Sequence, residues 1–385
     1  MENIFLFFGG RSYEHDISIV TASQIFSRSK LDGFKLVPVY VSKENKFYAY
    51  NVKKFDLKDF SKGFSVKNKK FEEIFFVSGE NGVVFFKSLF GLKEYVRGEL
   101  ALVVCHGGFG ENGKLVSFLE GFKIYTQCGS DLAMALAMDK FLFKQTMKGL
   151  KISSVRGFKI LKNEQDKDSK RIDFNLNVVG FPVVIKPNFG GSSIGLFVAR
   201  NREEFDQKIK EAFEFDDEVL VEKFVKGARE FNVAVVGNKF KFVVSEIDEP
   251  LKKDEVLSFA DKYLSGDQKT QKLSGDKFSM ASQNRNLPAK IDADLTKKIK
   301  NYAGQIFQKL GFSGVVRIDF LFDEENQKLY VCEVNSIPGS LAFYFFNSGA
   351  FLLDEFVLNL IEIARKKRDT VDVFNMDFLT EILQC

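Results

Sequence analysis

Continuous apolar runs and alternating ones divide this chain into two halves. In the first half, Ile4-Phe-Leu-Phe-Phe8, Phe34 to Val41 and Leu100 to Cys105 are nearly uninterrupted apolar stretches, the pattern of strands buried on both faces of a parallel sheet. Glycine turns follow two of them, Gly9-Gly10-Arg-Ser-Tyr-Glu14-His15-Asp16 and His106-Gly-Gly-Phe-Gly-Glu-Asn-Gly-Lys114, and the helical patterns Ile17 to Phe26 and Leu115 to Glu120 come after those turns. Between them, Ser42 to Val96 carries short alternating runs and predicts a β-rich elaboration of the first domain. Leu132 to Leu150 is helical in pattern. In the second half, Phe181 to Lys186, Leu196 to Ala199, Glu218 to Val225, Phe231 to Val236, Gly314 to Phe320 and Tyr330 to Asn335 read as strands. Apolar residues at 291, 295, 299, 306 and 310, stopped by Gly311, predict an amphipathic helix, and a helical pattern resumes from Ala350. Pro250 to Pro288 is polar and without clear elements, as in a lid or a disordered loop. Strands alternating with helices over 385 residues predict an α/β protein of two or three domains.

Composition narrows the function. An apolar fraction of 45% and a charged fraction of 28% are ordinary for a soluble globular protein. Lys and Arg exceed Asp and Glu by 56 to 52, too small a margin to argue for nucleic acid or an anionic membrane. Phe, at 45 residues with no Trp, takes core positions that Leu fills elsewhere. Cys105, Cys128, Cys332 and Cys385 are far apart and the two histidines are His15 and His106, which argues against structural zinc and a disulfide framework. The start lacks a basic leader and no segment has 18 uninterrupted apolar residues, so a cytoplasmic location is expected.

The densest chemistry lies in Gly314-Val-Val-Arg317-Ile-Asp319-Phe and Tyr330-Val-Cys-Glu333-Val-Asn335-Ser-Ile-Pro338-Gly339, separated by a polar turn. A hairpin centred on Asn326 sets Asp319 opposite Glu333 and Arg317 opposite Asn335. Residues two apart on a strand share a face, so all four project together. The result is either an exposed polar face with cross-strand pairs or an oxygen-rich site for a hard cation and a phosphate. Lys186 ends a strand before Asn188-Phe-Gly-Gly-Ser192-Ser193-Ile-Gly195, whose small residues leave backbone N–H groups to cradle phosphate. Glu218 to Val225 could lay its backbone against a planar base. Glu14 stands beside a helix N-terminus, either to offset the helix dipole or to receive an ammonium group. His106 ends a strand where ligands bind in open α/β sheets. Gly108-x-Gly110-x-x-Gly113, with Asp131 about 20 residues on, matches the dinucleotide fingerprint weakly. The P-loop match at Gly113-Lys114 fails because Leu115 follows.

In order along the chain, Gly9-Gly10-x-Ser12-x-Glu14, His106-Gly107, Gly110-Glu-Asn-Gly113, Met138-Asp-Lys140, Lys186-Pro187, Gly191-Ser-Ser-x-Gly195, Glu222-Lys223, Glu230, Lys262-Tyr263, Arg317-x-Asp319 and Glu333-x-Asn335-x-x-Pro338-Gly339 resemble an ATP-grasp ligase of the D-alanine–D-alanine ligase family. The resemblance implies the ATP-grasp fold: a Rossmann-like domain over 1–131, and two α+β subdomains over 132–222 and 223–385 that sandwich ATP, the last carrying the mobile loop 250–288. It implies that ATP phosphorylates one D-alanine and that a second attacks the acyl phosphate, for peptidoglycan precursor synthesis. Mg²⁺ (or Mn²⁺) would sit on Asp319, Glu333 and Asn335. Lys140, Lys186, Ser192 and Ser193 would hold the phosphates of ATP, and Glu222, Lys223, Val225 and Glu230 its adenine and ribose. Glu14 would meet the first D-alanine's ammonium and His106 would lie near its carboxylate. Arg317 and the N–H of Gly339 would stabilise the oxyanion. Lys262 and Tyr263 would close over the site, where Tyr263, Ser192 and Glu14 would hydrogen-bond together. A homodimer is expected, with small-molecule substrates and no nucleic-acid or membrane partner.

This sequence departs from the family pattern in two places. Family members commonly carry a Met-Thr-Ser-like stretch after Pro-Gly, whose later serine helps bind the second D-alanine's carboxylate. Here Ser340-Leu-Ala-Phe-Tyr344-Phe follows, so Tyr344 or a backbone N–H must take that role. Lys226-Gly-Ala-Arg-Glu230 is also one residue longer than usual. D-lactate or D-serine as acceptor, or another carboxylate–amine ligation, would keep the fold, but Lys262-Tyr263 points to an amine acceptor. A regulatory ATP binder would have no need of both Arg317 and the metal trio, and a dehydrogenase rests on the Gly108 match alone.

Overall fold

The structure is a computed structural model describing residues 1–60, 64–65, 68–77, 83–88, 91–164, 168–251, 285–346 and 352–371. Strand β1 (Glu2–Gly9), helix α1 (His15–Arg28) and strands β2 (Phe34–Val41) to β8 (Tyr125–Thr126) build the first unit. Ile4 to Phe8 are wholly buried, and β1 pairs in parallel with β2 and with β7 (Leu100–Val103) on its other side. Strands β3 (Phe47–Tyr50), β4 (Phe71–Val77), β5 (Val83–Ser88) and β6 (Gly91–Arg97) extend the same sheet antiparallel, giving the order β6-β5-β4-β3-β2-β1-β7-β8. The abundant Phe packs here: Phe8, Phe55, Phe60 and Phe71 surround Tyr40 and Tyr50 with ring centroids 4.8 to 6.4 Å apart. The turn after His106 contains a short helix, α2 (Gly108–Glu111), before α3 (Lys114–Gly121).

The helical pattern over 132–150 forms two helices. Ser130 caps α4 (Asp131–Met138) through Ala133 N–H, and Asp139 starts α5 (Lys140–Gly149) anew by accepting from Leu142 N–H. An aspartate competes with the continuing helix for a backbone donor, and here the break makes Lys140 the first residue of a fresh helix. A second sheet of β9 (Gly157–Leu161), β10 (Val183–Pro187), β11 (Phe197–Ala199) and β12 (Glu218–Lys223) has the antiparallel order β11-β10-β12-β9. Helices α6 (Ser169–Val179) and α7 (Arg202–Ala212) cover it, burying Ile172, Leu176, Phe205 and Ile209.

A third sheet, β15-β14-β13-β16-β17, is built from β13 (Arg229–Gly237), β14 (Phe242–Pro250), β15 (Arg285–Asn286), β16 (Gly314–Asp323) and β17 (Lys328–Asn335). Helix α8 (Ala293–Lys309) packs on it through Leu295, Ile299, Ala303, Ile306 and Phe307, the stripe its 3.6-residue period dictates. Helix α9 (Leu353–Val371) follows. Although far along the chain, its Phe356, Val357, Leu360, Ile361 and Ala364 join the core of the first sheet. Its basic cluster is anchored there as well: Arg365 pairs with Glu2 at 2.7 Å, Arg368 with Glu99 at 3.2 Å, and Lys367 with Glu120.

Candidate active site

The β16–β17 hairpin sets Arg317 opposite Asn335 and Asp319 opposite Glu333. The register arises differently from a symmetric turn at Asn326. From Asp323↔Lys328 to Phe320↔Val331 the pairs sum one lower, and a bulge between Asp319 and Phe320 restores the expected pairing. Bulges re-aim side chains near functional sites, and this one leaves Cys332 as the extra residue. Arg317 clasps Asp319 with both arms, Nε to Oδ1 at 2.7 Å and Nη2 to Oδ2 at 2.8 Å, and Asn335 Nδ2 donates to Oδ2 at 3.1 Å. Burial raises the Asp319 carboxyl above the usual carboxylate range, and the Arg317 charge opposes that rise. Among the described residues no three His, Cys, Asp or Glu gather as a metal cluster. The donor set is two carboxylates and an amide oxygen, which fits a hard cation whose shell phosphate oxygens help to complete.

Three adjoining cavities share Glu333 as a wall. The first lies between the second and third sheets and brings together Lys140, Lys186, Ser192, Ser193, Glu222, Lys223, Val225 and Glu230, with Asp319. Asn188 ties this region together, donating to Asp139 at 2.9 Å and accepting from Phe141 N–H at 2.9 Å. Ser192 and Ser193 take left-handed backbone, φ +53° and +60°, and Lys140 Nζ donates to Gly190 O nearby. Lys186 pairs with Glu222 at 2.5 Å, and Lys144 takes the other carboxylate oxygen. Burial works against the Lys186 ammonium, but Glu222 and Glu333 outweigh it and hold the group above the ordinary lysine value. Burial dominates at Lys140 and lowers it, although Glu333 lies 3.9 Å away. Lys223 lines this cavity, and its Nζ donates to the carbonyls of Gly180 and Phe181 at 3.1 and 3.0 Å, so its side chain also braces that turn.

The smallest cavity is lined by Glu14, His106, Glu111, Ser192, Arg317, Glu333, Asn335 and Gly339. Glu14 stands at the start of α1 but makes no capping bond there. Instead its carboxylate accepts from Ser192 Oγ, 178 residues away in the chain. A Cβ at Gly107 or Gly191 would come within 2.8 Å of Glu14 Oε2, so glycine at both positions is what admits the carboxylate. His106 has both ring nitrogens engaged by the protein, Nδ1 with Ile337 O at 2.7 Å and Nε2 with Thr21 Oγ1 at 2.9 Å. The carbonyl can only accept, which assigns the proton to Nδ1. Burial lowers the pKa of His106 and keeps it neutral. These bonds brace the loop before Gly339, and His106 also lines this chamber, where the resemblance expects a substrate carboxylate.

Several participants carried no role in the sequence reading. Glu111 Oε2 accepts from Gly107 N–H at 2.8 Å and Oε1 from Ile337 N–H at 3.0 Å, joining the His106 turn to the same loop. Burial and the neighbouring Glu14 push its carboxyl up to about 7. Glu111 closes the glycine turn from within, which accounts for those glycines without a dinucleotide. Lys144 lies one helical turn beyond Lys140, a spacing that could have flagged it. Tyr344 is buried and lines none of the three cavities; Arg285 sits 4.8 Å over its ring. Gly339 opens a coil, Gly339–Phe346, in which Ser340, Leu341 and Ala342 have φ of +50°, +51° and +47°. Burial raises the Cys105, Cys128 and Cys332 thiols, the last two to about 12, which argues against nucleophiles; Cys105 and Cys128 are buried, whereas Cys332 is half-buried and lines the first cavity. Lys262 and Tyr263 lie outside the described residues.

Models of the D-ala D-ala ligase N-terminus and C-terminus match residues 3–128 and 146–350. A D-alanine–D-alanine ligase of Thermosipho melanesiensis is 36% identical over 385 residues, covering 100% of this chain and 99% of that protein. Among solved structures, the VanG D-Ala:D-Ser ligase of Enterococcus faecalis is 26% identical with a TM-score of 0.73, over 94% of this chain and 99% of its own. The D-alanine–D-alanine ligase of Helicobacter pylori is 27% identical with a TM-score of 0.69, over 95% and 98%. No helix among the described residues is long and apolar enough to cross a membrane.

Proposed function

This chain belongs to the D-alanine–D-alanine ligase family, and we propose that it joins two D-alanines at the expense of ATP, forming ADP and phosphate, to supply peptidoglycan synthesis. The observation that carries this reading is the continuity of the site. A cleft with Lys140 and Lys186 meets, across Glu333, a small chamber walled by Glu14, Arg317 and the backbone at Gly339.

In this reading Glu14 receives the ammonium of the first D-alanine, and an oxygen of that D-alanine's carboxylate attacks the γ-phosphorus of ATP. ADP leaves and an acyl phosphate forms. The amine of the second D-alanine then attacks the acyl carbon. Arg317 and Gly339 N–H stabilise the tetrahedral oxyanion, which collapses with release of phosphate. Lys140 and Lys186 hold the phosphates of ATP. Lys186 is kept charged by Glu222, so it meets the nucleotide already ionised. Glu222, Val225 and Glu230 take adenine and ribose, together with the backbone of Lys223. Asp319, Glu333 and Asn335 would hold Mg²⁺, which supplies charge neutralisation between phosphate oxygens. His106 and Glu111 act through the main chain, fixing Ile337 and with it Gly339. Lys262 and Tyr263 would close the site against water, which hydrolyses acyl phosphates.

The test is phosphate release from ATP with D-alanine, L-alanine, D-serine and D-lactate, singly and in pairs. D-Alanine alone should suffice, and no release with it would sink the proposal. We also propose a cytoplasmic homodimer, as the resemblance implies, for which sedimentation should give twice the chain mass.

A further inference from the structure

We infer that Asn232 is a positioning residue for the metal site: from the neighbouring strand it fixes the Asp319 carboxylate by one oxygen, so that the other is presented to the cation that accompanies ATP. This rests on the ligase reading above.

A side chain in a sheet first meets the residue directly opposite, with Cβ atoms about 5 Å apart. On β13, Asn232 stands opposite Asp319 of β16 on one side and Asp248 of β14 on the other, and Asp319 in turn stands opposite Glu333 of β17. Asn232 is thus the neutral member of a row of acids. An acid in its place would face like charge on both sides, and an apolar residue would give Asp319 no donor. An amide supplies a donor without a charge. Carboxylate and carbonyl oxygens only accept, which assigns Nδ2 to the Asp319 side. There it donates to Asp319 Oδ1 at 3.0 Å and to Phe231 O at 3.3 Å.

Asp319 accepts on both oxygens: Oδ1 from Arg317 Nε at 2.7 Å and from Asn232, and Oδ2 from Arg317 Nη2 at 2.8 Å and Asn335 Nδ2 at 3.1 Å. A carboxylate has about four lone-pair positions, so a cation that reaches Asp319 displaces one of these donors. The Oδ2 side is the one that can open. Asn335 lines the substrate chamber, and its own amide oxygen belongs to the metal's donor set. Arg317 lines that chamber as well, where the oxyanion forms. Asn232 is buried and lines none of the three cavities, so it has no such second task. It keeps hold of Oδ1 while Oδ2 changes partner. Groups that orient a metal's ligands in this way are worth about 10–100-fold in metal affinity.

The experiment titrates Mn²⁺ into the full chain with adenylyl imidodiphosphate, an ATP analogue resistant to cleavage, and reads free Mn²⁺ by electron paramagnetic resonance. N232L keeps the branched shape of the side chain and removes the donor. Its Mn²⁺ dissociation constant should rise about tenfold or more, while affinity for the analogue without metal changes less than twofold. A general loss of packing would not produce that split. N232A, which removes the donor without adding bulk, should do the same and carries the test if N232L does not fold. D319N should weaken Mn²⁺ binding by itself, and adding the Asn232 substitution to it should change little more, because nothing remains to position. Unchanged Mn²⁺ affinity in both Asn232 variants, or full additivity with D319N, overturns the inference and leaves the ligase standing. If D319N binds Mn²⁺ as tightly as wild type, or the wild-type enzyme releases no phosphate with D-alanine, the metal assignment or the ligase reading falls and this inference with it.

Discussion

On the nucleotide side of the site, Lys186, Glu222 and Lys144 hold one another by ion pairs, as Lys140 holds Glu333. On the reaction side, Glu111 and His106 hold main-chain groups by hydrogen bonds, and Ser340 N–H reaches Thr21 Oγ1 at 3.2 Å. The difference has a chemical meaning. An ion pair can trade one partner for a phosphate of the same charge, so the first wall is built to exchange. A carbonyl or N–H fixed by a buried side chain has no competitor among the substrates, so the second wall presents a preset geometry to the oxyanion.

Substitutions on the two walls should therefore fail differently. The largest effect belongs to Asp319→Ala or Glu333→Ala, each removing a metal oxygen, with phosphate release falling about a thousandfold or more. Residual turnover near wild type would break the assignment of the hairpin. Next is Glu222→Gln, which leaves Lys144 and Lys186 buried without their counter-charge. Removing one partner of such a pair costs about 3–5 kcal/mol, visible as a lower midpoint in urea.

Glu111→Gln sharpens the other side through pH. The carboxyl titrates near 7 in the folded protein against an ordinary 4.5. Below pH 4.5 both states keep the proton. Between 4.5 and 7 the unfolded chain releases it first, so wild-type stability falls as pH rises, and above 7 the loss is complete. The variant lacks this group, and its stability relative to wild type should climb across that window by about 3 kcal/mol, read by thermal unfolding at pH 4.5 and 8. A flat difference would mean that Glu111 is not held as described. The smallest effect is Lys223→Met, which should cost about 1–2 kcal/mol through two carbonyls left unpaired and change melting more than the ATP Michaelis constant.

The sequence made some of these features plain and hid others, for identifiable reasons. Periodicity found β1, β2, β7, α8 and the hairpin because a side chain's face follows from its place in a strand or helix. Asp319, Glu333 and Asn335 were grouped by that rule alone. It could not foresee that Asp139 restarts a helix, since a capping aspartate and a mid-helix aspartate look alike until the competing donor is known. Nor could it see Lys223 turned to Gly180 and Phe181, or His106 spent on Ile337 and Thr21, because those partners lie in other elements.

The return of α9 to the first sheet has a consequence for how the protein is made. Phe356, Leu360 and Ile361 complete a core that draws mainly on the first 134 residues, with Ala234, Val236 and Val315 of the third sheet and Ile337 to Phe346 of the coil before α9. During synthesis the first sheet emerges long before the helix that packs on β7 and β8, with the apolar face there left open. Contacts of such sequence separation form late and slowly, and exposed apolar surface in that interval invites aggregation. The pairs of Arg365 with Glu2 and Arg368 with Glu99 then act as a latch on the finished fold. A ribosome-stalled chain ending before residue 353 should accordingly hold its nascent domain in a protease-sensitive, chaperone-bound form that the full-length chain leaves behind.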